Sequence, residues 1–154
     1  VQEISPEIYS GNPVTDAVLS VRRREMEEKG ISFCCEFRYP PKGGLDAFDL
    51  SIILNNALAN AVEASVREQR REIMLCSRPV KNMYIIEAAN VFTGSLHVDA
   101  QSGLPLTTKT EEGHGFGLSG IRHVARKYYG DVEIGVEDYR GARCCVMRVM
   151  LQVR

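Results

Sequence analysis

The run GHGFGLSG at residues 113–120 restricts the fold more than any other stretch of this chain. Gly115, Gly117 and Gly120 satisfy the G-x-G-x-x-G of dinucleotide-binding folds, where the glycines sit in a tight turn that leaves a β-strand and opens a helix. The residues in front of this run, LTTKTEEGH, are polar and charged and contain no apolar strand. A P-loop needs a lysine after its last glycine, and Ile121 stands there. A protein-kinase glycine loop would bring a far longer chain with further motifs, all absent. The glycines therefore open a helix with no strand ahead of it, and both strand–turn–helix nucleotide folds drop out.

What surrounds the run follows from hydrophobic spacing. SGNPVTDAVLSVRRREMEEKG (10–30) reads as a helix with Val14, Ala17, Val18 and Val21 at helical spacing and Gly30 as its stop. ISFCCEFRY (31–39) is a strand closed by Pro40 and Pro41. A second helix is predicted from about Asp46 to Glu68, with Ile52, Ile53, Ala57, Ala61 and Ala64 on one side. REIMLCSR and NMYIIEAAN form a hairpin joined around Pro79 and Val80. Residues 91–113 are rich in Gly, Ser, Thr, Pro and mixed charge, and loops this long are usually functional or disordered. A third helix follows, apolar at positions 118, 121, 124, 125 and 128 and ending at Gly130; two strands hinged at Tyr139–Gly141 close the chain. This order predicts an α/β (α+β) two-layer sandwich: a mixed, largely antiparallel sheet with helices on one face. Repeated βαβ winding is excluded.

One domain of 154 residues suffices to bury a core. A net charge of −1 offers no basic surplus for nucleic acid or an anionic membrane, and no apolar run approaches the ~20 residues of a membrane span. Five cysteines without C-x-x-C spacing read as reduced, buried thiols rather than a zinc site.

The chemistry is concentrated in ILNNALANAVEAS. Asn56, Asn60 and Glu63 stand at i, i+4 and i+7 and share one helical face among small and apolar neighbours. Asparagine is a poor helix former and costly to bury unpartnered, so the stripe points either to a ligand or to an internal hydrogen-bond network. Backbone N–H groups at the glycine-rich helix start form an anion site. A carboxamide oxygen such as that of Asn60 suits Mg²⁺, which binds through few protein groups plus phosphates. Together with Asn90 at the end of a strand, these features describe a nucleotide pocket roofed by a loop.

NNALANAVEA resembles the N box, and GHGFGL the second glycine box, of the GHKL superfamily of gyrase B, histidine kinases and MutL. More narrowly, YSGNPVTDAVLS, Asn90 and LTTKTEEGHGFGLSGIRHVARKYYG resemble the catalytic domains of peptide-sensing histidine kinases of the Agr quorum-sensing type. The resemblance covers nearly the whole chain and implies the Bergerat, or histidine kinase ATPase-like, fold as a single domain over residues 1–154. The nucleotide lid would lie at about 91–113, with sensor and dimerisation domains outside the chain.

The resemblance implies ATP and Mg²⁺ as cofactors. Asn60 would chelate the metal, Asn56 would face the phosphates, and both would serve catalysis, with Glu63 in support. Gly113, His114, Gly115, Gly117 and Leu118 would belong to the box that closes over the triphosphate, and Lys109 would approach a phosphate. Asn90 takes the place of the aspartate that reads the adenine amino group in most relatives. Gyrase-type relatives carry a water-activating glutamate one turn before the magnesium asparagine. Asn56 stands there, and a carboxamide cannot act as a general base. The implied activity is therefore phosphoryl transfer by a sensor histidine kinase to a histidine on a separate dimerisation domain, with a response regulator downstream. A nucleotide-sensing module without transfer, or a serine-directed GHKL kinase, would share the same boxes. The implied location is cytoplasmic, as part of a membrane-anchored receptor, with no nucleic-acid or membrane contact by the domain itself.

Overall fold

A computed structural model describes residues 8–40, 44–105 and 116–153. The elements run α1 (Pro13–Glu28), β1 (Ser32–Glu36), α2 (Ala47–Ser65), β2 (Glu72–Val80), β3 (Met83–Val91), α3 (Phe116–Lys127), β4 (Asp131–Tyr139) and β5 (Ala142–Gln152). Two of the helix starts are chemically specified. The Asn12 side chain accepts from the N–H groups of Val14 and Thr15 ahead of Pro13, and Asp46 accepts from Phe48 and Asp49. Caps of this kind contribute about 1 kcal/mol each.

The strands form one sheet in the order β1-β2-β3-β5-β4. β1 and β2 pair in parallel across the α2 crossover, and every other pairing is antiparallel. The sheet is therefore mixed and largely antiparallel, as expected, with a single βαβ unit. The first hairpin turns later than the sequence suggested. Pro79 lies inside β2 opposite Tyr84, and the turn falls at Lys81-Asn82, with Lys81 at φ 58°. The β1 pairing stops at Cys76, so the missing N–H of Pro79 faces no strand on that side.

All three helices contribute to one core on one face of the sheet. Leu19 and Met26 of α1, Leu54 and Leu58 of α2 and Ile121 of α3 pack with Leu75, Ile86, Val149 and Leu151 from the strands. Gly130 makes the α3 exit possible: a Cβ there would lie 1.7 Å from the Met150 carbonyl oxygen. The opposite sheet face combines a small apolar cluster, Ala89, Val91, Cys144 and Val146, with a charge network. Buried Glu87 accepts from Arg78 and Arg148 at 2.6 Å each, and Arg148 also reaches Glu133 and Glu137. Burial alone would raise the Glu87 carboxyl, but the bonds from Arg148 and Arg78 outweigh it and leave it below its ordinary value.

Three expectations about burial are corrected. The inward stripe of α1 is Thr15, Leu19 and Met26, with half-buried Arg22 between them bonded to Asn55 on α2. Val21 is 66% exposed and Ala17 is also exposed, because the longer Leu19 and Met26 fill the gap against α2. Ile52 of α2 is 43% exposed rather than on the core side. With Phe48 and Val21 it lines an open hollow of about 600 Å³ between α1 and α2. Finally, all five cysteines are free thiols, but only Cys144 and Cys145 are buried, while Cys34 on the edge strand β1 is exposed.

Candidate functional site

A smaller cavity of about 160 Å³ lies between the C-terminal half of α2, the inner face of β3 and β5, and the start of α3. Its walls are mostly apolar and include Ala57, Ala61, Ala64, Ala88, Ile134 and Met147. Asn60 and Asn90 supply its polar groups. The hollow between α1 and α2 is larger, but it touches only Asn56 among the site residues expected from the sequence. The chemistry therefore lies with the smaller cavity, which fits the usual pattern of an apolar pocket with a few converging polar groups.

α2 provides the polar stripe because Asn56 and Asn60 are one turn apart. The Asn56 Nδ2 donates one of its two N–H groups to the Ile52 carbonyl at 2.8 Å, and Oδ1 faces Gly117 of α3. Asn60 is half-buried, and its side chain makes no hydrogen bond to another described residue. Gly117 faces both: a Cβ built on it would lie 3.7 Å from Asn56 Oδ1 and 3.7 and 3.8 Å from Asn60 Nδ2 and Oδ1. The expected meeting of the asparagine stripe with the glycine-rich helix start is thus present at Gly117. Leu118 joins the pocket wall one residue later.

Glu63 is not brought to this cavity. It is not among the lining residues, and its buried Oε1 lies 4.0 Å from an Arg67 nitrogen one turn on. Lys109, Gly113, His114 and Gly115 lie outside the described residues.

Asn90 ends up at the base of the pocket, 4% exposed, on the inner face of β3. Its Nδ2 donates to the Val91 carbonyl at 3.3 Å, so its Oδ1 is the group left to accept. The sequence reading missed Cys145, Met147 and Ile134, which β5 and β4 deliver beside it, and Phe92, Leu96 and Pro105 from the following segment. Burial pushes the Cys145 thiol up to about 11, so it lines the pocket as a neutral, apolar group.

The proposed lid also begins with order. Val91 belongs to β3, and residues 98–105 form a closed turn with a Val98–Pro105 bridge and buried Leu104. Its ladder bonds run from the Asp99 N–H to the Leu104 carbonyl and from the Gly103 N–H to the Asp99 carbonyl, both at 2.8 Å.

No group of three or more His, Cys, Asp or Glu able to hold a metal occurs among the described residues. A divalent ion here would depend on a carboxamide oxygen and on ligands brought by the nucleotide, the mode typical of Mg²⁺. The donor set fits that mode: Asn60 is half-buried with its carboxamide uncommitted, and Asn56 presents Oδ1 beside the same glycine. Among the described residues no helix is long and apolar enough to cross a membrane.

Comparison with known proteins agrees with this geometry. The chain superposes on the catalytic domain of histidine kinase ThkA with a TM-score of 0.65 at 20% identity, covering 94% of each chain. It superposes on the mycobacterial sensor histidine kinase MprB at 0.69 and 18%, covering 92% of this chain and 94% of that one. For the Acinetobacter baumannii histidine kinase AdeS the values are 0.65 and 12%, covering 99% and 70%. At such identities these likenesses establish the histidine kinase ATPase fold. No curated protein matches the sequence. The family described as the GHKL domain does match, across residues 45–147, from the α2 cap through the pocket residue Met147. The chain belongs to the GHKL domain family.

Proposed function

We propose that this domain is the ATP-binding catalytic part of a sensor histidine kinase, delivering a γ-phosphoryl group to a histidine on a separate dimerisation domain. The observation that carries the reading is the convergence of Asn56, Asn60 and Gly117 beside a cavity that Asn60 and Asn90 both line. In this reading Asn90 Oδ1 accepts from the adenine amino group, while Ala88, Ile134 and Met147 contact the ring. Asn60 holds Mg²⁺, whose charge offsets that of the phosphates. Asn56 orients the phosphate end through Oδ1 and the backbone near Gly117 donates to it. The pair of asparagines supplies no general base, so water is not activated for hydrolysis and catalysis is positioning plus charge neutralisation. The parent would be a membrane-anchored receptor of the Agr type with its catalytic domain in the cytoplasm, acting on a response regulator.

A second reading, a nucleotide-sensing module without transfer, draws on Asn90, because an amide accepts a hydrogen bond less strongly than a carboxylate. Binding of a nonhydrolysable ATP analogue with and without Mg²⁺ tests the site. Incubation with γ-labelled ATP then separates the readings. Neither exposed His97 nor exposed His123, nor His114, is followed by an acidic residue able to take its proton. The domain alone is expected to gain no acid-labile label, whereas a cognate histidine-bearing dimerisation domain added in trans becomes labelled. Failure of that acceptor to be labelled, with nucleotide binding intact, favours the sensing module. A labelled serine in a partner protein points instead to a serine-directed kinase.

A further inference from the structure

We infer that Arg122 is a positioning residue for the base end of the pocket, holding the 98–105 turn in place above it without touching the nucleotide. This rests on the nucleotide reading above. Arg122 is on α3, one turn after Leu118, and its side chain is only 16% exposed. Its guanidinium has three acceptors on two segments, the start of β4 and the 98–105 turn. Nε donates to Asp131 Oδ1 at 2.9 Å where β4 begins, Nη2 to the Val132 carbonyl at 3.4 Å, and Nη1 to the Ser102 carbonyl in the turn. Asp131 is itself held, accepting the Val132 N–H at 2.8 Å and lying 3.7 Å from Arg126.

The turn bonded in this way is the one whose flanks reach the pocket. Val98 bridges Pro105, Leu104 packs into the main core, and Pro105 and Leu96 line the same cavity as Asn90. The fork of a guanidinium fixes direction as well as distance, and a planar donor with three acceptors is ordered in a way that a lysine cannot copy. α3 thereby contributes twice to the same site: Gly117 at the asparagine pair and Arg122 at the roof over the base. Apart from the packing of Leu104, the turn's other side-chain hydrogen bonds among the described residues are internal: Gln101 N–H to Asp99 Oδ1 and Leu104 N–H to Ser102 Oγ.

The test compares the wild-type domain with Arg122→Gln and Arg122→Lys, all assayed well below their melting temperatures. In the nucleotide-free protein, hydrogen exchange is expected to show the Asp99 and Gly103 amides losing about tenfold protection in Arg122→Gln, with β3 and β5 unchanged. Adenosine and ATP are expected to lose affinity alike, by about tenfold, with Mg²⁺ dependence unaltered. Arg122→Lys, which can keep the Asp131 pair but not all three bonds, falls between. If Arg122→Gln does not fold, Arg122→Lys alone carries the comparison. Unchanged protection of the turn, or protection lost throughout the sheet, overturns the inference. So does a loss for ATP without one for adenosine, which would mean contact with the phosphates. A wild-type domain that binds no ATP overturns the nucleotide reading and this inference with it. Normal wild-type binding with an unaffected Arg122→Gln overturns this inference alone.

Discussion

Gly117→Ala separates stability from binding, because the two effects have opposite signs. Gly117 is the second residue of α3 and its φ is not positive, so alanine adopts the same backbone without strain. The nearest atoms to the new methyl are the Asn56 and Asn60 carboxamides at 3.7 Å, ordinary van der Waals distance. In the nucleotide-free protein nothing has to move, and replacing a helical glycine by alanine gains about 0.5–1 kcal/mol, less at a helix end. The same methyl occupies the space between the asparagine pair and the helix start, where the phosphates have to approach the backbone. Overpacking of that kind costs about 1–3 kcal/mol, equivalent to roughly five- to 150-fold in affinity. Urea denaturation should therefore show a midpoint equal to or above that of the wild type. Isothermal titration should show weaker Mg²⁺-ATP binding with adenosine affinity nearly unchanged. Wild-type ATP affinity in a stable Gly117→Ala protein would refute the assignment of the phosphate end to Asn56, Asn60 and Gly117.

Asn60→Ala should abolish the Mg²⁺ dependence of nucleotide binding while circular dichroism stays native; an unchanged Mg²⁺-ATP affinity would make Asn60 a structural residue. Asn90→Asp should maintain or raise ATP affinity and sharpen the preference for ATP over GTP, measured by titration with both, and a loss of that preference would remove Asn90 from the base. For α1, Leu19→Ala should cost about 2–5 kcal/mol in chemical denaturation, while Val21→Ser should stay within about 0.5 kcal/mol. The reverse ranking would restore the helix face predicted from sequence. Glu87 has a carboxyl pKa lowered by folding, so its stabilising contribution is complete above its unfolded pKa of about 4.3 and is lost as pH falls through the lower folded value. The stability difference between wild type and Glu87→Gln should therefore shrink on acidification below about pH 4, and a pH-independent difference would contradict the ion-pair account.

The sequence by itself determined the order of elements, the mixed sheet and the N-box helix, because each rests on local signals: cap residues, apolar spacing and turn chemistry. It also determined that Asn56 and Asn60 share a face, since that follows from helical geometry alone. It did not determine which way α1 faces. Small apolar side chains at 14, 17, 18 and 21 and larger ones at 19 and 26 compete, and the gap against α2 selects the larger. Glu63 shows the limit of periodicity: it stays within about 20° of Asn56 around the helix, yet the cavity is lined by the neighbouring side of α2, Ala57, Asn60, Ala61 and Ala64, and by neither Asn56 nor Glu63. Tertiary structure alone decided the rest of the pocket. Asn90 and Cys145 are 55 residues apart and become neighbours only because β3 and β5 pair in that register. Arg122 gains its role only because α3 crosses the start of β4 beside a turn that ended some twenty residues earlier. Contacts between distant strands and loops depend on registers and crossings that no local pattern encodes, so the residues that complete the site emerged only with the fold.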